Sequence, residues 1–128
     1  MSYEAYNSYH TVSLEAMTAR ASPVQLVLVL MDGLIEEAAR ARAHIAERRF
    51  ELKARSLDRC IEILNGLSSS LDFDSRSEVV NNLARLYDYC AARLYLASVN
   101  LDPAIIDEVT GLLGTIRQGW ESIQAKHG

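Results

Sequence analysis

The sequence predicts an all-α fold, an antiparallel up-down four-helix bundle with a short N-terminal arm. Three observations predict it. Apolar residues recur every three or four positions through four blocks of about 20–25 residues. The links between blocks are only a few residues long, which forces consecutive helices to be antiparallel neighbours. No stretch shows the strict alternation of a half-buried strand. The chain has 128 residues, and dividing it would leave each half near the size at which a core becomes marginal. One bundle over 22–128, capped by an arm over 1–21, is the expected organisation.

The first helix opens at Ser22-Pro23-Val24-Gln25. Ser22 can accept from the free amides of the first turn, Pro23 suits the first helical position, and Gln25 can reach back to the cap. The helix should run to about Glu47, with Val27, Met31, Leu34, Ala38, Ala41 and Ile45 on its buried stripe. A second helix is expected from about Glu51 to Leu71, carried by Leu57, Cys60/Ile61, Leu64, Leu67 and Leu71. After the polar turn Asp72 to Ser77, the third carries Val79/Val80, Leu83, Leu86/Tyr87, Cys90, Leu94 and Ala97. Asn100 and Asp102-Pro103 end it and start the fourth, with Asp102 as N-cap. That helix repeats the pattern through Ile105/Ile106, Val109, Leu112/Leu113, Ile116, Trp120 and Ile123.

Composition narrows the function classes. Apolar residues make up 49% and charged residues 23%, which is neither a disordered tail nor a membrane protein. The longest strongly apolar run, Leu26 to Met31, falls far short of the roughly 20 residues of a spanning helix. No secretory signal pattern stands at Met1, so a cytoplasmic chain without membrane insertion is expected. Cys60 and Cys90 fit free buried thiols of a reducing compartment. The net charge of −4 argues against nucleic-acid binding, which depends on neutralising phosphates. Residues 40–59 nevertheless hold seven of the 13 bases, Arg40, Arg42, Arg48, Arg49, Lys53, Arg55 and Arg59, against three acids. A solvated edge or a site for an acidic partner would each produce that bias.

Catalytic patterns are missing. A di-iron bundle needs glutamate three residues before histidine on two helices. Here Asn7, Ala41 and Gln124 precede His10, His44 and His127. There is no glycine-rich phosphate loop, HExxH or GxSxG, so neither a cofactor nor a metal is expected. His44, followed by Ile45-Ala46-Glu47-Arg48, lacks the surroundings of a phosphotransfer histidine and reads as an ordinary surface residue near a helix end.

Two surfaces exceed what a bare bundle requires. On a helical wheel, Leu26 to Met31 cover almost the whole circumference of the first helix, with Leu26 and Leu30 on one flank, Leu28 on the other and Val29 nearly opposite the core. Each aliphatic side chain left in water forfeits about 1.5–3 kcal/mol, so further cover is expected. The arm offers it, with Tyr3, Tyr6 and Tyr9 three residues apart, followed by Val12, Leu14 and Met17. A permanently docked arm, a cap that yields to a partner and an unstructured end are all open readings. The second surface is a flank of the third helix, where Asn82, Tyr89, Arg93 and Leu96 cluster within about 60°. Tyr89 and Leu96 there are wide-core packing or the lining for a bound helix. The fourth helix contains Gly111, Gly114 and Gly119, each costing about 1 kcal/mol relative to alanine; Gly111 and Gly114, opposite the Val109–Ile116–Trp120 stripe, mark either close approach of another backbone or a weak surface helix held by packing.

These residues also carry a family resemblance. The arm has Tyr9-His10-Thr11-Val12, the first helix Ala21-Ser22-Pro23 with Leu26 and Leu30-Met31-Asp32-Gly33. Then come Leu71-Asp72, Asn82-Leu83, Leu86-Tyr87-Asp88-Tyr89, Arg93-Leu94, Ala97, Glu108-Val109, Gly111-Leu112-Leu113 and Trp120. In this order and spacing the chain resembles the FliS family of flagellin export chaperones over about 115 residues. It departs at Ser75-Arg76-Ser77, where the family usually has a glycine pair, and at Met31, where an aromatic is common. The resemblance implies a cytoplasmic, non-enzymatic chaperone. It would hold the disordered C-terminal segment of flagellin as helices in apolar grooves, prevent premature polymerisation and support delivery to the export gate protein FlhA. It further implies that Tyr6 and Tyr9 are arm contacts that move when flagellin binds, and that Asn82, Tyr87, Tyr89 and Arg93 occupy matched positions. With Val12, Leu26, Leu30 and Leu96 these form the candidate partner-binding set. A homodimer of the free chain is open, as is an adaptor that dimerises through the same apolar surface.

Overall fold

The computed structural model describes residues 22–71 and 77–127. The arm, with Tyr6, Tyr9 and Val12, and the turn at 72–76 lie outside the described residues. Among the described residues four helices follow in order: α1 (Pro23–Ala46), α2 (Phe50–Ser69), α3 (Glu78–Asn100) and α4 (Pro103–His127). Helix α1 packs on α2 and α4, and α3 packs on the same two, so α1 and α3 stand at opposite corners. The expected all-α bundle is what the chain forms.

The caps account for the helix limits. Ser22 Oγ accepts from Gln25 N at 3.2 Å while Gln25 Oε1 accepts from Ser22 N at 3.0 Å, the complete capping box. Asp102 Oδ1 accepts from Ala104 N at 3.0 Å at the start of α4. Helix α2 stops at Ser69 rather than Leu71. There the hydroxyls of Ser69 and Ser70 donate to the carbonyls of Asn65 and Leu67, drawing the last carbonyls away from further helix. Two turns use left-handed backbone at residues other than glycine, Arg48 at φ 61° and Leu101 at φ 53°. Such a conformation costs roughly 1–2 kcal/mol. At Leu101 the following amide, Asp102 N, still closes onto Ala97 O at 3.1 Å; at Arg48 the guanidinium lies 5.7 Å from the centre of the Phe50 ring.

The core follows the periodic stripes closely. All six stripe residues expected in α1 are buried, as are Leu57, Cys60, Leu64 and Leu67 of α2. Tyr87, Cys90, Leu94 and Ala97 supply α3, and Ile105, Ile106, Val109, Leu113 and Ile116 supply α4. Val79 and Ile123, expected in the core, are exposed. They lie toward the start of α3 and the end of α4, where the apolar stripe extends past the region of fullest packing. Among Leu26 to Met31, Val27, Leu28 and Met31 are buried and the others half-buried. None is left in water, and Leu28 is buried without joining the central cluster.

A polar tie joins each adjacent pair of helices. Arg42 makes a two-pronged pair with Asp107 at 2.7 and 3.1 Å, and Arg117 with Asp32 at 2.6 and 3.3 Å, both between α1 and α4. Buried Glu37 of α1 faces Arg59 of α2 at 3.9 Å and its own neighbour Arg40 at 2.8 Å. Lys53 Nζ donates to Ser98 O and Oγ at 3.1 Å, linking α2 to α3. With Arg49–Glu47 and Arg55–Glu51 also paired, the basic 40–59 stretch is an ion-paired edge. Its cations are largely spent on the protein's own carboxylates.

Candidate functional site: the seam between α3 and α4

The flank of α3 that exceeds the core requirement lies against α4. The Tyr89 ring is 47% exposed and Leu96 37% exposed; Asn82 is exposed and Arg93 partly so. Glu108 of α4 holds this flank. Its Oε1 accepts from the Tyr89 hydroxyl at 2.7 Å and from Arg93 Nε at 3.1 Å, and its Oε2 accepts from Arg93 Nη2 at 3.2 Å. Two charge-assisted contacts and a phenol on one carboxylate fix the rotamers of all three side chains. The bond from Tyr89, with help from Arg93, holds the Glu108 carboxyl below its ordinary range. The same bond pushes the Tyr89 phenol up, because ionising it would place two anions together. The result is a flank on which two exposed apolar side chains, Tyr89 and Leu96, stand beside a polar clasp.

The candidate residues do not all meet. Tyr87, placed in the partner-binding set, is 1% exposed and belongs to the core. It falls on the inward stripe, where its hydroxyl accepts from Trp120 Nε1 at 3.3 Å. Leu26 and Leu30 are half-buried on the flank of α1 that carries Glu37, the residue paired to α2. They line the α1–α2 edge, at the corner opposite the α3 flank. Asn82, Tyr89, Arg93 and Leu96 therefore form one surface, and Leu26 with Leu30 part of another.

Three features escaped the sequence reading. Glu108, the hub of the seam, stands in the sequence only within the Glu108-Val109 part of the resemblance and not among the candidate partner-binding residues. Tyr95 and Val99, 66% and 62% exposed, are the most exposed large apolar residues of α3 beyond its first turn. Their wheel positions, about 120° and 160° from the middle of the Cys90–Leu94 stripe, carry the signal that would have found them. His44 lies in the last turn of α1 as expected, but half-buried, with Nδ1 sealed and without a hydrogen-bond partner among the described residues. Both thiols are buried, and burial pushes Cys60 up to about 12 and Cys90 up to about 11, with Glu37 and Glu108 adding to the respective effects. Among the described residues no cluster of potential ligands could hold a metal ion. No helix there is long and apolar enough to cross a membrane.

Fold and seam together define a class, a helical-bundle scaffold whose exposed features are apolar and aromatic side chains along helix flanks. The family model described as flagellar protein FliS matches residues 5–127. The chain is 36% identical over 120 residues to flagellar secretion chaperone FliSB of Pseudomonas aeruginosa, covering 94% of this chain and 95% of that one. It is 38% identical over 120 residues to flagellar secretion chaperone FliS of Salmonella typhimurium, covering 93% and 89%. With the Escherichia coli chaperone of that name it shares 34% identity over 115 residues, 89% of this chain and 85% of that one. The chain belongs to the FliS family of flagellar secretion chaperones.

Proposed function

We propose that this protein is a cytoplasmic, non-enzymatic chaperone that binds the disordered C-terminal segment of flagellin as amphipathic helices. The observation that carries the reading is the α3 flank, where exposed Tyr89 and Leu96 sit beside a clasp that holds the ring in place. An amphipathic helix laid along such a seam buries anchors spaced one turn apart. Ordering a disordered client costs several kcal/mol, which keeps net affinity moderate and aids release. Held this way, flagellin cannot polymerise early and can pass to the export gate protein FlhA. Leu26 and Leu30 offer a second apolar edge, and the arm with Tyr6, Tyr9 and Val12 is its cover in the empty protein. Cover that must be displaced lowers apparent affinity for the client.

Size-exclusion chromatography with a flagellin C-terminal peptide tests the reading. A one-to-one complex is expected. A homodimer indifferent to the peptide would instead make the protein an adaptor that assembles through the same surface.

A further inference from the structure

Three glycines of α4 stand where nothing in the fold asks for them. Gly111, Gly114 and Gly119 all lie inside the continuous helix Pro103–His127. None has a positive φ, and a Cβ on any of the three would meet nothing within 4 Å. Among the described residues, neither a turn nor a close approach requires the missing side chain. What glycine does inside a helix is ease unwinding, by about four- to fivefold per residue relative to alanine.

Burial supplies an independent observation. Ile116 is the last buried residue of α4, and from Arg117 to Lys126 every side chain is half-buried or exposed. The part before Gly111 is held by Ile105, Ile106 and Val109 in the core and by the pairs at Asp107 and Glu108. Beyond Gly114 the polar ties to other helices among the described residues are Arg117 to Asp32 and the Trp120 indole to the Tyr87 hydroxyl. Low helix propensity and thin docking thus coincide in one stretch, which is the combination expected of a locally opening unit.

We propose that the end of α4 is a latch, hinged over Gly114–Gly119, that undocks while the rest of the bundle stays folded. Opening lifts Trp120 away from Tyr87 and lengthens the α3–α4 seam toward Asn82. The buried tyrosine becomes reachable only in that state. As a regulator of partner access to the seam, the latch rests on the function proposed above. As a motion, it does not.

Hydrogen exchange on the full chain, compared with Gly114→Ala/Gly119→Ala, tests it. Amides beyond Thr115 should exchange faster than those of α1 in the parent and slow by about 20-fold in the variant, with α1 unchanged. Apparent affinity for the flagellin peptide should also fall, by less than the exchange slows, because Tyr89 and Leu96 are exposed with the latch closed and only the seam toward Asn82 depends on opening. Exchange beyond Thr115 as slow as in α1, or unaltered by the substitutions, overturns the latch. Slowed exchange with unchanged affinity overturns its regulatory role and leaves the chaperone function intact. A parent protein that binds no peptide removes the chaperone reading, and exchange alone then decides the motion.

Discussion

Cys60 and Cys90 sit at the centre of their helices' inward stripes, and their chemistry follows from that placement. A thiolate there would lose its hydration and face Glu37 or Glu108 nearby, so both thiols stay protonated at neutral pH. A thiol reagent should therefore leave the folded protein unlabelled at pH 7.5 and modify two residues once urea unfolds it. Fast labelling before unfolding would show that the core opens readily. Tyr89 and Tyr87 differ in the opposite sense, although only one residue separates them. Tyr89→Ala removes an exposed ring from the seam, so it should weaken flagellin-peptide binding by about tenfold with little change in melting temperature. Calorimetric titration and thermal melting together check this, and matched losses would place the ring in the fold's own support.

At the scale of elements, α1 is the most sharply delimited helix. Its capping box satisfies two amides that would otherwise be unpaired at the N-terminus. Ser22→Ala should cost about 0.5–2 kcal/mol, read from the urea midpoint with the slope unchanged. A shift outside that range would mean that residues beyond the cap share the load. The apolar girdle of α1 bears on the arm. Leu26, Val29 and Leu30 are half-buried, a condition sensitive to any segment lying over them. Deleting Met1 to Val12 should raise binding of an apolar dye by the empty protein if the arm is the cover, and unchanged binding would reject that role.

At the scale of the whole molecule, the bundle combines one apolar centre with polar ties at every adjacent pair of helices. Leu94 is fully buried in that centre, and Leu94→Ala should destabilise by about 2–5 kcal/mol in chemical denaturation. The ties add pH dependence. Arg42 lowers Asp107, and Tyr89 with Arg93 lowers Glu108. Folded carboxyls below their unfolded values contribute stability above the ordinary range of about pH 4 and lose it as pH falls through the folded value. Tyr89 works in the other direction, with its support present below about pH 10 and lost as the raised phenol ionises. The melting temperature should hold steady near neutrality and fall on acidification below about pH 4. Asp107→Asn/Glu108→Gln should have a lower plateau and a shallower acid limb, and an acid limb identical to the parent's would remove these pairs from the account.

By itself, the sequence determined the helices, the limits it gave for the first three and the start of the fourth to within two residues, and nearly all of the core. These are local properties, because a stripe every three or four residues and a cap beside a proline act within one helix. It also marked the flank of Asn82, Tyr89, Arg93 and Leu96, since a wheel orders residues on a single rod. Only tertiary structure decided which rods share a surface. It placed Leu26 and Leu30 at a corner away from that flank, drew Tyr87 inward onto Trp120, and made Glu108 the hub by bringing α4 alongside. Those outcomes depend on the relative rotation and height of separate helices. That geometry arises when many side chains pack at once, and no period along one strand of sequence encodes it.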